Sequence, residues 1–283
     1  MKKVLGLVIS ERRLGNSEIL VKEIMGNVPE PCSREIIRLT ELSLKPCKAC
    51  YHCLQPGAYC KMNDDFNFVL DKIIQADALV IGMPVYFLGP PAAYKLLTDR
   101  MLGAGHRAGY TAGKPCLIVV PYGIRGWEGY TRSAAMVLPR LLQMKLVDYW
   151  SVPATLPGES LLNVENIRRA GELGANIFDL PAGRPEQTQC PNCGGDLFRL
   201  LPGGGAECPL CAAKFVFTAQ DGNTVLTPSP DIKETRHHRF SAEGIDEHFN
   251  HWLVSMKEKY LKEREQLKKL QKPYLDKQWW VKP

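Results

Sequence analysis

Eight of the ten cysteines fall in two tight groups, and their spacing is the strongest chemical signal in the chain. The first group, PCKACYHCLQPGAYC, sets Cys47, Cys50, Cys53 and Cys60 as C-x2-C-x2-C-x6-C. Repeated two-residue gaps let one short loop wrap three corners of an iron-sulfur cubane, and the longer step through Pro56 and Gly57 returns the chain to the fourth. Structural zinc more often takes two separate knuckles, so a 4Fe–4S cluster suits this spacing better. The second group, CPNCGGDLFRLLPGGGAECPLC, sets Cys190, Cys193, Cys208 and Cys211 as C-x2-C-x14-C-x2-C. Two knuckles joined by a hairpin that turns at the glycine triplet 203–205 close a tetrahedral thiolate site. Both zinc and a single iron accept four sulfurs, and zinc is the expected staple for so small a unit. Cys32 and Cys116 stand alone, and the grouping of the rest points to metal in a reducing, cytoplasmic setting rather than to disulfides.

The elements that must position these groups follow from periodicity. Apolar, β-branched stretches alternate with helical patterns through about residue 180, which predicts a parallel sheet with helices on both faces. Strands are expected at 3–10, 34–39, 78–85, 116–123 and 147–154, and helices at 17–28, 65–75, 92–102, 130–144 and 164–178. The fold class is therefore α/β, a doubly wound five-stranded parallel sheet. The stretch LPAGRPEQTQ reads as a linker, placing a first domain at 1–184 with the cysteine loop at 45–63 inside it. A small β unit of zinc-ribbon type is expected at 185–230, with turns at GGG and DGN, followed by a tail at 231–283 whose helix begins near Ser241.

Bulk properties limit the function classes. No apolar run reaches the roughly 18 residues that a membrane span requires, and no cleavage pattern follows the first strand. The net charge of +6 is concentrated in residues 256–283, where nine Lys or Arg face four Asp or Glu. The main body is nearly neutral, which argues against a broad nucleic-acid surface. Phe249, Trp252, Leu253, Met256 and Tyr260 share one helical face and are expected to dock on the body or on a neighbouring subunit.

Ligands of open α/β sheets bind beyond the carboxyl ends of the strands, where strand order reverses. After the first expected strand comes SERRLGNSE, in which Gly15 permits a turn, Asn16 and Ser17 suit a helix start, and Ser10, Ser17 and Arg12 or Arg13 could hold a phosphate at the helix N-terminus. An ordinary capped helix start would look the same. After the third strand, Pro84 to Gly89 offers extended backbone and the aromatic edges of Tyr86 and Phe87 to a flat ring. After the fourth, Gly123 and Gly126 allow close backbone approach and Trp127 can cover a ring.

These loops, SERRLGNSE, GMPVYFLGPPAAYKLLTDR and YGIRGWE, resemble the three FMN-binding loops of the NADPH-dependent FMN reductase and iron-sulfur flavoprotein family over roughly residues 1–180. The first cysteine run, with the acidic pair Asp64 and Asp65 after it, resembles the compact cysteine motif of the iron-sulfur flavoproteins. The resemblance implies a flavodoxin-like fold, FMN, and a homodimer or homotetramer with flavin near a subunit interface. It implies flavin contacts from Ser10, Arg12, Asn16, Ser17 and Glu18, from Pro84, Val85, Tyr86, Phe87 and Gly89, and from Tyr122, Gly123, Gly126, Trp127 and Glu128. Electrons would pass between FMN and a 4Fe–4S cluster, with ferredoxin or NAD(P)H as donor, and no side chain is singled out as nucleophile or general base. Two rival readings are an NAD(P)H-dependent flavin or quinone reductase without a cluster, and a zinc-ribbon interaction module on a flavodoxin-like scaffold.

Overall fold

The computed structural model describes residues 1–55, 57–220, 223–229, 238–275, 279 and 281. Five parallel strands, β1 (Lys2–Val8), β2 (Cys32–Arg38), β3 (Ala78–Gly82), β4 (Pro115–Tyr122) and β5 (Lys145–Pro153), form one sheet in the order β2-β1-β3-β4-β5. This is the flavodoxin order, and it places the reversal between β1 and β3. All five residues of β3 are buried, as expected of a central parallel strand covered on both faces.

Each face carries its own core. On one, Leu5, Leu7, Ile81 and Ile118 pack against α2 (Phe66–Gln75), α3 (Ala92–Thr98), α4 (Thr131–Ala135) and α5 (Val137–Leu141). On the other, Val4, Val8, Val80 and Val119 meet α1 (Asn16–Gly26) and α6 (Val164–Ala175). Glycine decides how closely α1 approaches: a Cβ on Gly82 would lie 2.6 Å from the Ser17 carbonyl oxygen, and one on Gly6 would lie 2.6 Å from Met25 Sδ. The first turn of α1 therefore rests directly on the end of β3, beside the reversal.

Two helices end earlier than periodicity predicts. The segment expected at 92–102 stops at Thr98 and continues as 3-10 turns over Met101–Thr111, a stretch with glycines at 103, 105 and 109. The helix expected at 130–144 divides into α4 and α5 because Pro139 has no N–H to offer the Ala135 carbonyl four residues earlier. The buried Tyr94 hydroxyl donates to that carbonyl instead, at 2.8 Å. Burial raises the Tyr94 phenol well above its ordinary value, so it remains a donor.

The second sheet is antiparallel, β6 (Arg199–Leu201), β7 (Gly205–Glu207), β8 (Lys214–Gln220) and β9 (Asn223–Pro228), with its first hairpin turning through Gly203 and Gly204. Of the expected DGN turn, Asp221 and Gly222 lie outside the described residues, as do 230–237 at the start of the tail. Ser241 caps α7 (Ala242–Asp246), its hydroxyl accepting from Gly244 N at 2.9 Å. A π-helical stretch, Glu247–Trp252, leads into α8 (Leu253–Gln271). Of the predicted apolar face, Phe249 and Leu253 join Ile245 against Leu54, Leu102 and Leu141, whereas Trp252, Met256 and Tyr260 stay exposed. In the terminal QWWVKP, Trp279 and Val281 are exposed and the remaining four residues lie outside the described set. Among the described residues no helix is long and apolar enough to cross a membrane.

Replacing Tyr94 by Phe removes the hydroxyl that donates to the carbonyl Pro139 orphans. The expected cost is about 1–3 kcal/mol, read as a lower urea midpoint with an unchanged denaturant slope.

Candidate flavin edge and two cysteine sites

The turn after β1 is braced from outside. Its left-handed position is Leu14 (φ 51°), not Gly15, and Gly15 (φ −74°) is the N-cap, so Asn16 and Ser17 already lie within α1. The first helical amides, which have no intrahelical partner, open toward the turn. Arg38 Nη1 donates to the carbonyls of Ser10 (2.8 Å) and Arg12 (3.3 Å), and the Thr40 hydroxyl also donates to Ser10 O. Arg12 N donates to Ser10 Oγ, and the Arg12 guanidinium reaches Thr155 O at 2.9 Å. Asn16 is turned inward: its Nδ2 donates to Ala154 O and Leu156 O while its Oδ1 accepts from Ser160 N. Glu18 is likewise committed, accepting from Leu14 N, Lys22 and Arg38. Asn16 and Glu18 thus shape the turn, and Ser10 and Ser17 are buried at it.

The loops after β3 and β4 are locked together. Tyr86 and Gly89 bond each other's backbone across Phe87 and Leu88, both left-handed, in a tight turn that leaves Phe87 94% exposed. Val85 N donates to Pro121 O and Tyr130 N to Leu88 O. Gly129 has no room for a side chain, since a Cβ there would sit 2.0 Å from Leu88 O. Gly126 is left-handed (φ 82°), Trp127 is exposed beside it, and Gly123 O accepts from the Thr155 hydroxyl. Burial first, then the charge and hydrogen bond of Glu128, raise the Tyr122 phenol, so these two predicted residues face each other. The four loops at this edge leave Leu14, Phe87, Ile124, Trp127, Leu156 and Leu162 exposed.

The first cysteine loop is closed at its ends and open at its middle. Asp65 accepts from Ser43 N and Asp64 from Lys45 N, pinning the loop's entry to its exit. Asn67 exchanges two hydrogen bonds with the backbone of Cys60. Arg100, 1% exposed in its side chain, pairs with the fully buried Asp64, donates to Lys45 O at 3.1 Å, and donates through Nη2 to Cys60 Sγ at 3.1 Å. Its guanidinium lies 4.4 Å from the Phe66 ring centre. Ala49 and Tyr51 are left-handed, and Ala49 N points to Cys47 Sγ at 3.4 Å. Cys47 and Cys50 are exposed, Cys53 and Cys60 half-buried. Burial first, then Cys60, Cys50 and Cys47, raise the Cys53 thiol, so the four sulfurs share one electrostatic environment.

The two groups differ in sulfur spacing. Zn–S bonds of about 2.3 Å place the corners of a tetrahedral site about 4 Å apart, and all four sulfurs of Cys190, Cys193, Cys208 and Cys211 lie within 4.8 Å of one another. The Cys190–Cys211 and Cys193–Cys208 pairs are each 3.5 Å apart, and all four residues are buried. Among the described residues, no three sulfurs of the first group come that close. Each knuckle of the second group closes in the same way, with Gly194 N donating to Cys190 O and Ala212 N to Cys208 O, both at 2.8 Å and both from left-handed residues. Hydrogen bonding from Cys193 pulls the Cys190 thiol down to about 7. The first knuckle is stitched to α4 and α5: Arg132 donates to Gly194 O and Gln189, Arg140 to Cys193 O, and Ser133 bonds Asp196 and accepts from Leu197 N.

Arg100 and Arg38 were not among the residues singled out by sequence. A signal for Arg100 existed: it follows Leu97 at helical spacing, on the face that buries Tyr94, Leu97 and Met101, and an arginine on a buried face demands an anionic partner. Arg38 carried no comparable mark, because it ends a strand whose neighbours are charged.

A doubly wound sheet with braced turns at its reversal defines a flavodoxin-like flavin oxidoreductase. The family model "NADPH-dependent FMN reductase" matches residues 2–155, and the chain belongs to this family. An iron-sulfur flavoprotein of Methanocaldococcus jannaschii is 38% identical over 99 residues, covering 35% of this chain and 51% of that protein, so the match spans about half the length of that relative. An iron-sulfur flavoprotein of Archaeoglobus fulgidus is 28% identical over 184 residues, 62% of this chain and 79% of the other. A solved flavone reductase superposes over 99% of both chains with a TM-score of 0.78 at 21% identity, so its fold extends through the second sheet and tail.

The brace on the turn has a pH signature. Burial works to raise the Glu18 pKa, but hydrogen bonds from Lys22, Arg38 and Leu14 outweigh it and hold it at about 2 against an ordinary 4.5. A carboxyl lowered on folding contributes stability that is complete above its unfolded value and lost as pH falls toward the folded one. Stability measured from pH 5 to 2 is expected to fall less steeply in Glu18→Gln than in the parent chain. An unchanged slope would show that Glu18 is not the group protonated.

Proposed function

We propose that this chain is an FMN-dependent oxidoreductase that exchanges electrons between its flavin and a 4Fe–4S cluster on Cys47, Cys50, Cys53 and Cys60. The observation that carries this reading is a shared support. Arg38 and Thr40, where the chain leaves β2 toward the cysteine loop, both donate to Ser10 O in the turn after β1, which ties the start of that connection to the turn. The printed names of the archaeal relatives support the same pairing. When bound, FMN supplies two-electron and one-electron exchange and the cluster one-electron exchange, which together convert between the two.

Residues of the chain divide the work. Ser10, Ser17, Arg12 and the first amides of α1 hold the flavin phosphate, with Asn16 and Glu18 fixing their turn. The backbone from Pro84 to Gly89 borders the ring, Tyr86 and Trp127 shield it, and Tyr122, Gly123, Gly126 and Glu128 close its far side. NAD(P)H or a reduced ferredoxin serves as donor. Cys190, Cys193, Cys208 and Cys211 hold zinc as a structural staple. The apolar residues exposed around the flavin edge are covered by a second copy in a homodimer or homotetramer.

A second reading, direct reduction of a planar quinone-like or flavone-like acceptor by NAD(P)H through the flavin without a cluster, draws on the same exposed aromatic edge at Tyr86, Phe87, Trp127 and Tyr130. Anaerobic purification with flavin, iron, sulfide and zinc counts separates the two. The first reading expects FMN, equal iron and sulfide, and zinc, with Cys53→Ser losing iron and sulfide while keeping FMN and zinc. A yellow chain without iron or sulfide overturns it in favour of the second.

A further inference from the structure

The Arg100 guanidinium is buried, fixed on one side by Asp64 and the Lys45 carbonyl, and aimed on the other at Cys60 Sγ. Asp64 alone does not account for that geometry. Nη1 and Nη2 both reach the carboxylate, and Nη2 also donates to sulfur at 3.1 Å. The Cys60 backbone is held independently by Asn67, so the contact with sulfur is not needed to close the loop. Of the other cationic side chains at the loop, Lys45 donates to Asn63 O, Arg107 pairs with Asp71 over the Tyr59 ring, and Lys48 and Lys61 are exposed. One buried permanent cation therefore touches one of the four sulfurs, that of the half-buried Cys60.

We infer that Arg100 is a positioning residue that sets the reduction equilibrium of the group bound by the first cysteines, by hydrogen-bonding the Cys60 sulfur and offsetting charge added there. The inference rests on assigning a 4Fe–4S cluster to that group. Uptake of one electron adds one negative charge at the sulfurs, and a charge-assisted donor on sulfur strengthens as that charge grows. The guanidinium is already protonated, so reduction draws no proton from it and no bond in the chain breaks. Cys60 is thereby distinguished from the exposed Cys47 and Cys50.

The test is a dithionite titration of the holoprotein, with dithionite as the one-electron donor, followed by absorbance and low-temperature electron paramagnetic resonance. Arg100→Lys keeps the charge and loses the fork. Arg100→Met alone would leave Asp64 buried without its cation, so the double variant Asp64→Asn/Arg100→Met, which removes both charges, is measured alongside. Loss of the donor is expected to disfavour cluster reduction about tenfold, or about 59 mV for a one-electron couple. The double variant should show this shift with iron, sulfide and flavin retained, the Lys variant a smaller one, and the flavin couple none. If the double variant loses iron and the Lys variant keeps it, the Lys variant decides: a cluster harder to reduce than the parent's supports the inference, and the parent potential overturns it. It is overturned if the double variant keeps its cluster at the parent potential, or if both variants lose iron, which would make Arg100 scaffold alone. Absence of iron and sulfide from the parent chain instead removes the underlying cluster assignment, a result no variant produces.

Discussion

The cysteine loop hangs from one buried ion pair. Arg100 and Asp64 are each at most 1% exposed in their side chains, and between them they hold the loop's entry at Lys45, its exit at Phe66 and its last sulfur at Cys60. Such a pair is not retained for net stability, since desolvating two charges offsets most of their attraction, yet removing one partner costs roughly 3–5 kcal/mol. Its value lies in geometry. Four closely spaced cysteines with two exposed members have little core to fix them, and a rigid fork tied to a carboxylate, a carbonyl and a sulfur supplies the direction that apolar packing does not.

The second sheet's cysteine knuckles are likewise joined to the main body by polar contacts on α4 and α5, with Leu210 packed against the core beside them. The flavin loop after β4 ends at Tyr130, whose N–H is bound to the loop after β3, and α4 begins at the next residue. Arg132 and Ser133 in that helix then grip the first knuckle of the second cysteine group, and Arg140 in α5 grips the same knuckle from below. The knuckle, the helix and the flavin loop are thus consecutive in contact, with no hinge between them. The second sheet is thus bonded to the helix that the loop after β4 leads into.

Legibility in the sequence followed the kind of force involved. The strands and both cysteine groups could be read because hydrophobic alternation and x2 spacing are local patterns, whereas the strand order came with the family resemblance. The division of α4 from α5 was visible as Pro139, although its acceptance depends on Tyr94 from another helix, which no local pattern announces. Asn16 and Glu18 were expected beside the ligand on the strength of their loop, and their inward bonds to Ala154, Leu156, Ser160 and Arg38 are made by residues 20 to 144 positions away. Side-chain partners at that separation emerge only once the sheet is wound. The left-handed residue at Leu14, in place of Gly15, is a smaller instance: the turn was recognised and its strain misplaced by one residue.

The contrast between the two cysteine groups argues for different duties on physical grounds. The second group is buried, matched knuckle for knuckle, and tight enough for one tetrahedral ion, so an ion there exchanges little with solvent and holds a sheet too small to fold on apolar contacts alone. The first group is half open and supported by a cation rather than by a second copy of its own turn. For the cluster proposed there, exposure at Cys47 and Cys50 would give an electron a short route out, while Cys53 and Cys60 are half-buried. A purely structural site gains nothing from an exposed face or from a buried guanidinium on one sulfur. A site whose charge changes by one unit during its work gains from both.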